Sequence, residues 1–319
     1  MAVVVSSRRP NAFYKAMGVY CENNGIPFIR KINNRIGRKF PIRGESAEDL
    51  ILSYHTVGKI PDYRIWHYKP DYIPKALFFD TCGYSARAEV ATDDAVVVRE
   101  FIKKNCNVEQ SMGLLKKLTI DSNASKLNKV PRVKGRIHNG DFILFAGQVP
   151  KDTVIRHSFY GSYQKMLSSV LPELDKLGIK ILFRPHPRAG MVGLENPTEY
   201  FRRFKNIEFF NGPCSIHQLI EESMGVISVN SGVGFEGLIH GRPVFTLGGC
   251  DYGCATHALN SLDKMAEIPS LICDNHSDMA QKYLHYHLNN SVVFRGNSPM
   301  ETVKNIFSFT DNNESRLHK

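Results

Sequence analysis

Four short runs in the second half of the chain carry polar residues just where β-rich segments end. "KILFRPHP" ends in Arg184, His186 and Arg188, and "VISVN" leads into Asn230 and Ser231. "FILFAGQ" runs into "VPKDTVIRHS", where Asp152 stands among Lys151, Arg156 and His157. "VFTLGG" leads into Cys250, Asp251 and Tyr252. In the first of these runs, Pro185 and Pro187 clamp His186 in extended backbone and bar a helix, so its imidazole projects from a strand tip. With Arg184 and Arg188 it makes a cationic patch suited to phosphate oxygens. The alternative is a tight turn whose histidine caps a neighbouring element.

"NSGVGFEG" raises a sharper question. Gly232, Gly234 and Gly237 spell G-x-G-x-x-G, the dinucleotide-binding spacing. Asp251 lies 19 residues past Gly232, near the place of a ribose-binding acid. Against this, the helix that follows stops at Gly241 after roughly two turns, and the motif comes late in the chain. Three readings stay open: a phosphate cradle built from the N–H groups of Ser231–Gly234, a dinucleotide site, and a plain tight turn. Glu236, in the first turn, could accept from ribose hydroxyls or merely favour the helix dipole.

Carboxylates supply the remaining chemistry. Asp152 among cations stays ionised and can act as nucleophile or base, or can cap the following helix. Asp80 ends "ALFFD" and reads equally as turn former and as catalyst. Two carboxylates on opposite walls of a cleft suit glycosyl transfer. Cys250, Cys254 and His257 have no common zinc spacing, and D-x-D, Walker A, H-E-x-x-H and G-x-S-x-G are all missing from the sequence. No metal site is expected.

The elements that must position these residues alternate between short β-rich runs and helical stretches, the pattern of α/β layers. In the first half, strands are expected near "AVVVSS", "IPFIRKI", "LILSYH" and "ALFFD", and helices at "NAFYKAMGVYCENNG", about 94–105 and 108–118. Residues 119–140 are polar, basic and without periodicity, and read as a linker. This divides the chain into a 1–140 domain and a 141–319 domain. The second holds strands at "DFILFAGQ", "IKILFRPHP", "IEFF", "GVISVN" and "PVFTLG", and helices at 276–289 and 298–308 close the chain. Two such halves put a cleft between them, with the carboxyl ends of parallel strands facing it. The stripes "FYKAMGVY" and "YLHYHL" read as core.

The charge balance of +10 suits phosphorylated ligands, nucleic acid or an anionic membrane face, and chooses none of them. Seven Cys, an odd count without C-x-x-C, fit a reduced cytoplasmic setting. There is no signal-peptide core and no apolar run of about 18 residues, so membrane contact is expected to be peripheral.

"FILFAGQVPKDTVIRHS", "ILFRPHPRAG" and "GVISVNSGVGFEGLIHGRPVFTLGGCDYG", in that order, resemble the capsule polysaccharide biosynthesis family, whose KpsC-type members are β-Kdo transferases. Gln148 and Asp152 match the family's glutamine strand with its following aspartate, and His186 and Pro187 its His-Pro motif. "SGVGFEGLIHGRPV" matches its glycine-rich block. "FFDTCGYSARAE" is similar to the family's E-D-G-F-x-R-S stretch, with "TC" inserted. The resemblance implies an α/β fold of GT-B-like form, two Rossmann-type α/β domains facing a cleft. It implies no cofactor, a nucleotide-sugar donor (CMP-linked for Kdo) as substrate, and a glycan or lipid-linked acceptor. Anionic membrane and capsule-assembly proteins follow as partners, and nucleic acid does not. Asp152 would be the nucleophile of a retaining reaction. His186, with Arg184, Pro187 and Arg188, would hold the donor phosphate together with the Ser231–Gly234 turn, and Glu236 the ribose. Gln148 and Asn230 would complete the donor site, and Asp80 would be the acid. The pattern is also similar to that of CDP-glycerol glycerophosphotransferases and polysialyltransferases, and from a different class the alternative is a non-catalytic nucleotide-sugar-binding subunit of a capsule complex. A non-hydrolysing 2-epimerase would want an acid where Gly237 stands.

Overall fold

The computed structural model describes residues 2–7, 12–32, 49–55, 65–104, 107–125, 130–189, 197–273 and 277–317. Cys106 and residues 126–129 of the expected linker lie outside them. The chain forms two compact units, Met1–Thr92 with His287–Lys319, and Asp93–Tyr286. The expected division at 140/141 is therefore corrected: the chain leaves the first unit within a helix and returns to it near the end. The polar stretch that reads as a linker lacks apolar periodicity because side chains of a neighbouring helix hold its backbone. Val133 N–H donates to Gln218 Oε1 (2.8 Å), and Ile137 N–H to Glu222 Oε2 (2.7 Å).

The first unit holds β1 (Val3–Ser7), β2 (Phe28–Ile32), β3 (Leu50–Tyr54), β4 (Ile65–Pro70), β5 (Ala76–Asp80) and β12 (Val292–Phe294). Their order is β12-β5-β4-β3-β1-β2. β2, β1, β3 and β4 run parallel, while β5 is antiparallel to both β4 and β12. β4 and β12 were not expected. "IWHYKP" and "VVF" are too short, and too mixed in the first case, to show a period by themselves. Helix α1 (Ala12–Asn23) buries Tyr14, Met17 and Cys21, spaced to form one face. It meets α10 (Pro299–Leu317), with Tyr20 and Phe307 stacked at 4.6 Å, so the closing helix belongs to the first unit.

The second unit opens with most of α2 (Glu89–Lys104), then α3 (Val108–Lys116). Its sheet is β6 (Ile143–Ala146), β7 (Ile181–Arg184), β8 (Ile207–Phe209), β9 (Gly225–Ser228), β10 (Val244–Thr246) and β11 (His257–Ala258). The order is β11-β10-β9-β6-β7-β8, and every pair is parallel. Read from β8, this is the 3-2-1-4-5-6 order of the Rossmann fold. β6, β7 and β9 read as near-continuous apolar runs because α4 (Tyr163–Asp175), α5 (Pro197–Arg202), α6 (Ile216–Glu222) and α7 (Gly232–Ile239) cover a sheet with two buried faces; α8 (Ile268–Leu271) and α9 (Ser277–Asn290) follow. Ile143, Phe145, Phe183, Ile227 and Phe245 form the middle of its core. The α/β expectation of two parallel-rich, Rossmann-type layers is met. Among the described residues, no helix is long and apolar enough to cross a membrane.

Candidate functional site

In a doubly wound sheet, ligands bind where the strand order reverses. Here that point lies between β6 and β9, and the residues just past these strands are Gln148 and Asn230. Their amides pair reciprocally: Gln148 Nε2 donates to Asn230 Oδ1 (2.7 Å), and Asn230 N–H donates to Gln148 Oε1 (3.1 Å). Asn230 Nδ2 also donates to the carbonyls of Val154 (2.9 Å) and Gly249 (3.3 Å). The hydroxyl of Tyr163 accepts from Gln148 N–H at 3.0 Å. Both amides are buried, and together they tie the loops after β6, β9 and β10 into one body. A structural task therefore accounts for most of their hydrogen-bonding capacity. Tyr163 was not among the candidate residues; in the structure it opens α4 just after the capping Ser162.

The neighbouring loops are drawn in as tightly. Gly147 N–H donates to the Arg184 carbonyl at 2.8 Å, and a Cβ at Gly147 would stand 3.0 Å from that oxygen, so any side chain there would press on β7. Gly249 N–H donates to the His157 carbonyl (3.0 Å), which closes the loop after β6 against the loop after β10.

The loop after β6 exposes Asp152. It caps the short 3₁₀ helix Thr153–His157 through Oδ1, which accepts from Val154 N–H at 3.2 Å, a long bond that occupies one oxygen. The loop after β7 turns at His186–Ala189, closed by Ala189 N–H donating to the His186 carbonyl (2.9 Å). Within it, His186 Nδ1 accepts from Arg188 N–H at 3.0 Å. That bond fixes the neutral tautomer, with the proton on Nε2, so the ring presents a donor. Burial and the Arg188 charge hold His186 below the usual histidine range, and the Asp152 carboxylate works against them. Asp152 and His186, 34 residues apart, thus lie within each other's field. Arg188 and Pro187 are exposed beside them.

Arg184 departs from the expected patch. Its guanidinium donates to the Gly212 carbonyl and lies over the Phe210 ring at 5.6 Å. It buttresses the loop after β8 and leaves His186 and Arg188 as the outward-facing members of the trio.

After β9, Ser231 caps α7, its Oγ accepting from Val233 N–H (3.3 Å). The Tyr252 hydroxyl donates to the Ser231 carbonyl at 2.5 Å. The glycines have packing reasons. A Cβ on Gly234 would lie 2.6 Å from the Tyr252 hydroxyl and 2.9 Å from Ser228 Oγ. On Gly237 it would press on Val244 and Val226 of the sheet at 3.0 and 3.1 Å. The motif also follows the fourth strand of the Rossmann order, whereas a dinucleotide fingerprint follows the first. Gly232 opens α7, partly exposed, so the helix still offers its positive end to an anion. Glu236 lies in the second turn, not the first, and is buried. Asp251, the candidate ribose acid of the dinucleotide reading, is also buried, next to Tyr252.

Asp80 is placed unlike the others. β5 runs antiparallel, so Asp80 pairs with His67 in the middle of β4 and does not stand past the carboxyl ends of the parallel strands. Its buried carboxylate accepts the N–H groups of Cys82 (2.7 Å), Gly83 (2.8 Å) and Glu89 (3.0 and 3.1 Å to its two oxygens), closing the loop that leads into α2. Burial pushes Asp80 up to about 7; the three N–H donors oppose the rise, and the Glu89 charge adds to it. Among the described residues, no group of three or more His, Cys, Asp or Glu side chains could hold a metal ion.

Solved structures of similar fold include two from Thermosulfurimonas dismutans. One is the KpsC β-Kdo 2,4 transferase, 16% identical with a TM-score of 0.53 over 89% of each chain. The other is the KpsC β-Kdo 2,7 transferase, 15% identical with a TM-score of 0.51 over 98% of this chain and all of that one. No curated protein matches by sequence. The family profile described as capsule polysaccharide biosynthesis protein matches residues 101–290, more than half of the chain and nearly all of the second unit. By that match, the chain belongs to the capsule polysaccharide biosynthesis protein family.

Proposed function

We propose that this protein is a glycosyltransferase of capsule or surface polysaccharide synthesis. It takes an acidic sugar such as Kdo from a CMP-linked donor and passes it to a glycan or lipid-linked glycan at the inner face of the membrane. One observation supports the reading: the loops that carry Asp152 and His186, and the N-terminus of α7, follow β6, β7 and β9, the neighbouring strands at the order reversal of a Rossmann sheet. The donor phosphate accepts from His186 Nε2–H and rests against the positive end of α7, with Arg188 alongside. Glu236 serves the ribose. The exposed Asp152 carboxylate attacks the anomeric carbon as its bond to the phosphate oxygen breaks, and CMP leaves. The acceptor hydroxyl then displaces Asp152, which leaves as its carboxylate, and the hydroxyl proton passes to water, so two inversions retain configuration. No cofactor takes part in this scheme.

Thermal shift with CMP, CDP, UDP and NAD tests the site, since a ligand that binds only the folded state raises the melting temperature. CMP is expected to stabilise the protein most. Stabilisation by NAD without cytidine nucleotides would overturn the reading, and preference for CDP would move it to a glycerophosphotransferase. Release of CMP from CMP-Kdo without acceptor separates an enzyme from a binding subunit.

A further inference from the structure

A second electropositive surface lies in the same unit, on residues the proposed chemistry does not use. The strap of residues 130–140 runs along α6 and is bonded to it by side chains. Gln218 pairs with the Val133 backbone as another strand would, Oε1 accepting its N–H (2.8 Å) and Nε2 donating to its carbonyl (3.3 Å). Nε2 also donates to the Gly135 carbonyl at 2.9 Å. With the backbone tied inward, Arg132, Val133, Lys134 and Arg136 are exposed. The two nearby acids of α6 are engaged by the strap: Glu221 binds the Arg132 guanidinium, and Glu222 accepts from Ile137 N–H and Gln218 Nε2.

Three elements bring their cations together here. Arg242, after α7, donates to the Glu221 carbonyl and so lies beside Arg132. His217 of α6 donates Nε2–H to the Ala124 carbonyl (3.1 Å), and its Nδ1 accepts from His240 Nε2–H (3.0 Å). Burial, the His217 ring, Arg132, Arg242 and Lys116 of α3 together push His240 down to about 3. The imidazole pair therefore stays neutral amid like charges. α3 also exposes Lys117 just past its end and Leu114, 39% exposed; Val133 on the strap is 41% exposed. Asp121 is an exposed acid in the turn that follows.

We propose that this face, formed by the end of α3, the strap and Arg242, docks on an anionic bilayer. Lys116, Lys117, Arg132, Lys134 and Arg242 meet lipid phosphates, and Leu114 and Val133 enter the headgroup region. Cations spread over three elements suit a charged plane better than a single small anion. Exposed apolar side chains among them suit an interface with an acyl boundary better than a soluble polyanion. The proposal rests on the membrane contact in the functional reading, but not on its chemistry.

Co-sedimentation with vesicles of phosphatidylcholine alone, or with one quarter phosphatidylglycerol, tests it. The full chain is expected to bind only the second kind and to release as salt rises from about 0.1 M to about 1 M, where the screening length falls from about 10 to about 3 Å. Lys116→Ala/Lys117→Ala/Lys134→Ala is expected to weaken binding on the order of 100-fold, taking about fivefold for each basic residue. Lys165→Ala/Arg202→Ala/Lys205→Ala removes the same charge from and beside α4 and α5 of the same unit and should bind as the parent does. Leu114→Ser/Val133→Ser should weaken binding several-fold. Equal loss in both triple variants would overturn the assignment to this face. No loss in the serine variant would overturn the bilayer in favour of a soluble polyanion. CMP stabilisation, read on the same proteins, should be unchanged in every variant. Its failure would count against the donor site and leave the vesicle result standing.

Discussion

Asp152, in the loop after β6 of the second unit, and Asp80, the last residue of β5 in the first, are both acids near the end of a buried strand, and their surroundings set them apart. Asp152 is exposed, spends one oxygen on a 3.2 Å capping bond and lies in the field of His186. Asp80 is buried, takes three backbone N–H groups and is pushed up to about 7. The units differ in the same way. In the second, strand ends of an all-parallel sheet are stitched by neutral amides and a tyrosine, which leaves an acid, an imidazole and a helix terminus facing outward. In the first, the antiparallel β5 turns its acid into the sheet, and ionisable groups meet each other. His287 Nε2 lies 3.0 Å from Asp71 Oδ2, both buried; burial pushes Asp71 up, but the imidazole, the Ile73 N–H and the Lys69 charge together hold it below its usual range. A carboxylate whose lone pairs are taken by the fold serves the fold. One left half-used at a strand-order reversal is free for a ligand.

Removing each carboxylate is the strongest way to break this comparison. Asp152→Ala should lower sugar transfer by roughly 10⁴-fold, the scale of losing a nucleophilic unit, while the urea midpoint moves little. Asp80→Ala should do the reverse, costing about 3 kcal/mol by urea denaturation because three buried N–H groups lose their acceptor. If Asp80→Ala abolished transfer in a protein of unchanged stability, the acid would be catalytic after all.

A pH series sharpens the contrast. The folded value of Asp80 is raised, so its protonated form is favoured in the folded state. Its contribution is fully present below the unfolded value of about 3.9 and is lost as pH rises through about 7. The stability advantage of the parent over Asp80→Asn should therefore shrink between pH 4 and pH 7.

Smaller effects test the second unit's wiring. His186→Ala should weaken CMP binding by about 10- to 100-fold in titration calorimetry, as expected for one hydrogen bond to a charged group. Gly234→Ala should cost about 1–3 kcal/mol by crowding the Tyr252 hydroxyl. Tyr252→Phe should return part of that loss, and a purely additive double variant would show that the hydroxyl is not what the glycine accommodates.

The alternation of β-rich and helical runs determined the α/β class and most strands of the second unit, because parallel strands buried on both faces leave uninterrupted apolar runs. The proline clamp around His186 is local, and its residues suffice to show it, whereas the cap that Ser231 puts on α7 shows only in the structure. Pairing was a different matter. Nothing in "ALFFD" tells that β5 runs against β4, and that direction alone moves Asp80 from the strand ends into the sheet. Nor could composition show that the polar stretch before β6 is held by Gln218 and Glu222, so the unit boundary fell elsewhere. The glycines of "NSGVGFEG" were legible as a motif but not in purpose. Their neighbours Tyr252, Ser228, Val226 and Val244 come from separate strands and loops, and only the packed sheet brings them within reach. Local backbone preference is written in neighbouring residues, whereas strand direction and side-chain partnership depend on which distant segments the folded chain brings together.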